Sequence, residues 1–175
     1  ERLVPEVSEM TFMSAKYIEI NGMSCLVSRS GYTGEDGFEI SLPEKHAQEL
    51  AQLFLTDDAV EWVGLGARDS LRLEAGLSLY GHELDTHHSP VESSLSWALS
   101  KVRRTGGKRQ GGYVGDNIIM KHLDQGTKYK VVGVKPEGRM PVRDGALIED
   151  DSGAEMGIVT SGGFGPSLEK PIAIA

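Results

Sequence analysis

Apolar and polar positions alternate from Lys16 to Ile20, with Tyr17 on one face and Ile18 and Ile20 on the other. Asn21-Gly22 follows, and a second run from Met23 to Arg29 carries Leu26 and Val27. An Asn-Gly pair between two such runs predicts a β-hairpin, because both turn residues must take positive φ. After a glycine-rich loop, Phe38 to Leu42 resumes the strand pattern, with Phe38 and Ile40 on one face. Pro43 then opens a segment in which Ala47, Leu50, Ala51 and Phe54 recur at helical spacing. Val60 to Val63 reads as a short strand, and Ala67 to Ala75 as a second helix stopped by Gly76. This order predicts an α+β layer, with helices packed on one face of a mainly antiparallel sheet.

Further along, Val91, Leu95 and Ala98 or Leu99 predict a helix within Pro90 to Leu99. The pattern then breaks. Lys101 to Gly112 holds Lys101, Arg103, Arg104, Lys108, Arg109 and four glycines, with no apolar residue after Val102. That run is the best linker candidate, either a solvated connection or a docking strip for an acidic partner. Val114 to Leu123 reads as one helix. Strands follow at Tyr129 to Val134, Ala146 to Glu149, Met156 to Thr160 and from Ile172 onward, punctuated by Asp144-Gly145, Ser152-Gly153 and Gly162-Gly163. The chain thus divides into residues 1–104, a linker over 105–113 and a mostly β part over 114–175 that suits a barrel.

Composition narrows the function classes. With 39% hydrophobic and 25% charged residues, the chain is an ordinary globular sequence. Its net charge of −8 argues against nucleic acid as a partner. No apolar run approaches the roughly 18 residues of a membrane span. Cys25 is the single cysteine, which excludes an internal disulfide and favours a reducing compartment. A start without methionine and an end inside Ile172-Ala173-Ile174-Ala175 predict a piece of a longer protein.

The candidate chemistry concentrates in Gly31-Tyr32-Thr33-Gly34-Glu35-Asp36-Gly37-Phe38-Glu39, with three glycines, three carboxylates and a tyrosine. Such a backbone can approach something flat. Ionised carboxylates only accept hydrogen bonds, so they suit a ligand edge rich in N–H groups rather than a phosphate. Glu39 could take two parallel N–H bonds from an amidine-like edge such as a pterin's, and Tyr32 offers a ring face. The competing reading is a plain surface turn.

On the second helix, Arg68 and Arg72 lie four apart and share a face. Either they form a charged outer face with Leu71 and Ala75 inside, or Arg68 reaches the ligand of Glu39. His82 to His88 offers five possible metal ligands in seven residues. No helical ligand spacing accompanies them, and an exposed loop is the expectation. Cys25, inside a strand, is expected to be buried rather than reactive.

Several of these stretches together form a resemblance. Ser28 to Glu39, Gly64-Leu65-Gly66-Ala67-Arg68-Asp69-Ser70-Leu71-Arg72-Leu73-Glu74-Ala75-Gly76, Leu79 to Asp85 with Pro90-Val91-Glu92, and Thr160 to Leu168 closely resemble, in order, motifs of the glycine cleavage system T-protein family. Relatives include the folate domains of sarcosine and dimethylglycine dehydrogenases and a folate-binding iron–sulfur maintenance protein.

The resemblance implies a partial T-protein fold: the later part of the folate-binding domain, then a truncated C-terminal barrel. It implies an aminomethyltransferase that takes the one-carbon unit from the lipoyl arm of the carrier H-protein, releases ammonia and passes the unit to tetrahydrofolate, with no metal. By motif, Glu39 and Arg68 match the family's folate-binding glutamate and arginine, and Tyr32 a tyrosine of the folate pocket. The family's catalytic aspartate falls in an N-terminal half outside this chain, so no catalytic residue is assigned here. The expected compartment is bacterial cytoplasm, or the mitochondrial matrix in a eukaryote. The alternative is a folate-binding module without transferase activity.

Overall fold

The computed structural model describes residues 2–175. The chain forms two compact units, residues 1–71 and 72–175.

In the first unit, β1 (Ala15–Ile20), β2 (Met23–Ser28) and β3 (Glu39–Ser41) make a three-stranded antiparallel sheet in that order. The expected hairpin is present: Ile20 pairs with Met23, and Asn21 and Gly22 take φ of 50° and 76°. Alternation then assigns the two faces. Ile18, Ile20, Met23, Cys25 and Val27 point into the core, where Val4, Val7, Met10 and Leu50 join them. Phe38, Ile40, Leu42, Leu53 and Phe54 pack around that core. Residues 44–46 make one 3₁₀ turn that leads into α1 (Ala47–Phe54), and Leu50 is its buried contact.

The opposite face stays open, with Tyr17 77% exposed. Cys25 is fully buried, and burial raises its thiol pKa, so it is a core residue rather than a nucleophile. The strand expected at Val60 to Val63 does not form. Residues 60–64 are irregular backbone, and Trp62 and Val63 lie 69% and 72% exposed. An apolar run without a strand to pair with has no ladder to join.

The second helix, α2 (Leu65–Glu74), forms as expected. Gly76 closes it at φ 69°, and the Leu77 N–H bonds to the Arg72 carbonyl, the geometry of a left-handed C-terminal cap.

In the second unit, the helix expected over Pro90 to Leu99 is replaced by turns and one 3₁₀ turn at Ser96–Ala98. Ser89 and Glu92 make the reciprocal bonds of a helix start, the Ser89 N–H to the Glu92 carboxylate and the Glu92 N–H to the Ser89 hydroxyl, but Ser94 at φ 60° breaks the run after one turn. Lys101 to Gly112 is mostly exposed, as a solvated connection would be, and is also internally hydrogen-bonded. Arg103 donates to the Gly111 carbonyl at 3.0 Å, and Arg104 donates to the Leu99 and Ser96 carbonyls at 3.0 and 2.6 Å. The two guanidiniums fold the segment onto itself.

The third helix, α3, runs from Asp116 to Gln125, with Gly115 and Gly126 at its ends. The mostly β end consists of β4 (Gly133–Val134), β5 (Leu147–Glu149), β6 (Glu155–Ile158), β7 (Ser161–Gly165) and β8 (Lys170–Ile174). They form an antiparallel sheet ordered β4-β8-β7 and a β5-β6 pair. Mixed helix and antiparallel sheet is the expected class.

Candidate functional site

Glu39 opens β3 directly opposite Ser28 of β2. Residues opposite one another in an antiparallel pair share a face. Their neighbours Val27 and Ile40 turn to the core, so Ser28 and Glu39 stand on the open face. Ser30 lies one pleat beyond Ser28. Its hydroxyl donates to Glu39 Oε2 at 2.6 Å and lies 2.8 Å from the Ser28 hydroxyl. The carboxylate is exposed yet held at one oxygen. Among the described residues, no hydrogen bond reaches its other oxygen, Oε1.

The glycine-rich loop between the strands is anchored at both ends. Arg29 donates twice to the Asp36 carboxylate, at 2.9 and 2.6 Å, and once to the Met10 carbonyl at 2.7 Å. The guanidinium holds Asp36 below the usual carboxylate range. Its far face lies over the Phe38 ring, 5.6 Å from the centroid. The hydrogen bonding of the two charged ends, rather than apolar packing, sets where residues 31–37 run.

Arg68 sits in the first turn of α2, its N–H bonded to the Gly64 carbonyl. Its guanidinium lies 4.5 Å from the centre of the Tyr32 ring, a cation–π contact. Two of the three expected site residues, Tyr32 and Arg68, are therefore in contact, and one ring face is used within the protein. Glu39 belongs to the same unit, with Ser30 as its direct contact.

Arg72 departs from the expectation of a charged outer face. It is 2% exposed, whereas Ala75, expected inside, is exposed. Its guanidinium meets Glu83 Oε2 at 3.3 Å, the Ser161 hydroxyl at 3.0 Å and the Leu77 carbonyl at 3.3 Å. Glu83 also accepts the Ser161 and Thr160 hydroxyls, each at 2.6 Å, and the Leu79 N–H at 2.8 Å. Burial pushes the Glu83 pKa up, but these bonds and the Arg72 charge outweigh it and leave the carboxyl below its ordinary value.

Three side chains of the histidine-rich loop, His82, Asp85 and His88, have hydrogen-bond or ionic partners within the protein. His82 Nδ1 donates to the Thr160 carbonyl at 2.8 Å and lies 3.3 Å from Asp144. Asp85 accepts the His87 and His88 N–H groups, which pull its pKa down to about 2. Glu83 is turned to Arg72 and Asp85 to His88, and no group of three or more candidate ligands among the described residues could hold a metal ion.

Sequence reasoning missed Ser28 and Ser30, and it missed the buried knot around Glu83. The serines carried a usable signal: spaced two apart at the end of a strand, they had to share a face with whatever lay opposite. The knot carried none, because its members are separated by as much as 89 positions.

An antiparallel sheet with an outward carboxylate, followed by helices and a β-rich end, defines the class: an α+β protein. The GCVT N-terminal domain family model matches residues 2–103, and the glycine cleavage T-protein C-terminal barrel domain model matches residues 130–175. The chain belongs to the glycine cleavage T-protein family.

A mitochondrial aminomethyltransferase of Pisum sativum is 46% identical over 97% of this chain and 41% of its own length. A probable mitochondrial aminomethyltransferase of Schizosaccharomyces pombe is 47% identical over 99% of this chain and 44% of its own. The crystal structure of glycine cleavage system aminomethyltransferase T from Bartonella henselae superposes with a TM-score of 0.85 at 44% identity, covering 95% of this chain and 44% of that one. The chain spans about two fifths of the length of the curated relatives it matches.

Proposed function

We propose that this chain supplies the pterin-anchoring part of a tetrahydrofolate-dependent aminomethyltransferase of the glycine cleavage system. The observation that carries the reading is Glu39: an exposed carboxylate on an open sheet face, held at Oε2 by Ser30. A carboxylate in that state accepts parallel N–H bonds from a pterin's ring nitrogen and exocyclic amine, and such pairs are the strong, geometrically specific kind.

Tetrahydrofolate would supply the nucleophilic nitrogen that takes the one-carbon unit from the lipoyl arm of H-protein as ammonia leaves. The part assigned to this chain is orientation. Glu39 fixes the ring edge, and the Arg68 guanidinium on Tyr32 provides a positive, flat wall on the same unit. Holding the nucleophile in place is worth several kcal/mol of barrier on the scale of oriented reactions.

The transfer itself is assigned to a protein of the relatives' full length, and this chain alone is expected to be inactive. Ammonia release from aminomethylated carrier by the isolated chain would overturn that assignment. We read residues 1–104 as the later part of the folate domain, 105–113 as the connection and 114–175 as barrel; the matches over 2–103 and 130–175 support this division. The mitochondrial names of the plant and yeast relatives support a matrix location for a eukaryotic source, and bacterial cytoplasm otherwise. No helix among the described residues is long and apolar enough to cross a membrane.

The test is tetrahydrofolate titration of the full-length protein and its Glu39→Gln variant. The expected loss is about 2–3 kcal/mol, the scale of a hydrogen bond to a charged group. An unchanged dissociation constant would remove Glu39 from the site.

A further inference from the structure

We propose that Ser30 is a positioning residue for the pterin edge: it turns the Glu39 carboxylate so that its Oε1 side faces the ligand. This inference rests on the reading of Glu39 given above. A glutamate side chain at the exposed start of a strand has three rotatable bonds and no packing to choose among its rotamers. Here the choice is made by a hydrogen bond. Ser30 donates to Oε2 at 2.6 Å, the short distance of a hydroxyl on an ionised oxygen.

Ser28, opposite Glu39 in the ladder, sits 2.8 Å from the Ser30 hydroxyl. Since the Ser30 hydrogen is committed to Glu39, Ser28 must donate and Ser30 accept. A single direction of donation therefore runs Ser28 to Ser30 to Glu39. It ends on Oε2, and Oε1 receives no hydrogen bond among the described residues. Each carboxylate oxygen carries two lone-pair sites. Oε2 thus keeps room for one ligand N–H and Oε1 for another, a pair of parallel acceptors with a fixed tilt.

The fixed tilt discriminates. A carboxylate free to rotate would accept one N–H from many ligands. One held by Ser30 rewards the ligand that presents two N–H groups side by side and gains nothing with a ring that has lost its exocyclic amine. Ser30 thereby acts through Glu39 on specificity, not through contact with the ligand.

The experiment measures binding of tetrahydrofolate and of its 2-desamino analogue to the full-length protein, wild type, Ser30→Ala, Ser30→Thr, Glu39→Gln and Ser30→Ala/Glu39→Gln. Ser30→Ala is expected to weaken tetrahydrofolate about tenfold, the low end for a hydrogen bond to a charge. Its affinity for the 2-desamino analogue should stay within twofold of wild type, and Ser30→Thr, which keeps the hydroxyl, should restore tetrahydrofolate binding. The double variant should match Glu39→Gln alone, since residues acting through one another are not additive.

Equal losses for both ligands in Ser30→Ala would mean a merely structural serine and would overturn the proposal. So would full additivity of the two substitutions. If Glu39→Gln weakens tetrahydrofolate while Ser30→Ala does not, the positioning role fails and the folate reading stands. If Glu39→Gln has no effect, both fail together.

Discussion

The two units are stabilised by opposite means. The first is held by an apolar face: nine buried hydrophobic residues contributed mainly by two strands and the segments that cover them. In the second, the buried apolar cluster is Leu73, Ile172 and Ile174 with Val131 against it, and beside it lies a buried ion pair, Arg72 with Glu83, tied to Ser161, Thr160 and the Leu79 N–H. In an apolar core, removing one side chain costs its transfer term and the cavity it leaves. In a buried ion pair, removing one partner leaves the other desolvated and uncompensated as well. The difference also places the candidate site: with its apolar residues on one sheet face, the first unit leaves the other face open for polar residues such as Ser28 and Glu39.

Breaking the ion pair should therefore give the largest effect. Glu83→Ala is expected to cost roughly 3–5 kcal/mol in the second unit, read as faster hydrogen exchange in β7 and β8. Replacing both charges, Arg72→Met with Glu83→Leu, should recover only part of that loss: no charge is left unpaired, but the Ser161 hydroxyl and the Leu79 N–H lose their acceptor. Were Glu83→Ala to leave exchange unchanged, the polar knot would not be what holds this unit.

Acid sharpens the same contrast. Glu83 has its folded pKa below the ordinary 4.5, so its contribution is fully present above pH 4.5. It is lost as pH falls below that value and through the folded pKa, since the unfolded chain takes up the proton more readily. Unfolding followed over this window should lose its Glu83-dependent slope in Glu83→Gln. The apolar core of the first unit holds no such group.

Next in size is Ile20→Ala. The side chain is 3% exposed, and removing it from a packed core costs roughly 2–5 kcal/mol, transfer and cavity together. We expect about 3, at the middle of that range, because the edge of the core next to the turn can relax in part. Chemical denaturation of the first unit gives the value directly.

The contrast also explains what could be read from the sequence. Strand periodicity and the Asn-Gly pair located β1, β2 and their turn, because each rests on local rules. Arg72 was misplaced for the converse reason. At helical spacing a charged residue predicts solvent, and its burial depends on Glu83 and on Ser161, 89 positions away. The glycines of Thr160 to Leu168 read as turn punctuation, yet Gly162 and Gly163 lie inside β7. There a side chain at Gly162 would run into the Val142 carbonyl, so the glycine marks close approach, not a bend. Glu39 and Arg68 were legible as candidates by motif, but the serine relay required the register of Ser28 against Glu39.

The smallest expected effect tests whether the hairpin or the face it carries holds the first unit. Gly22 has φ 76°, and open space surrounds the position of a would-be Cβ. Gly22→Ala therefore adds no clash, only the backbone penalty of a left-handed residue, about 1 kcal/mol. Register should survive, because a one-residue slip would turn Ile18, Ile20, Met23, Cys25 and Val27 out of the core and bring Tyr17 in. A loss of this size with unchanged exchange protection in β1 and β2 is expected. A loss as large as that of Ile20→Ala would show instead that the turn, and not the apolar face, decides how these strands pair, and with them where Glu39 stands.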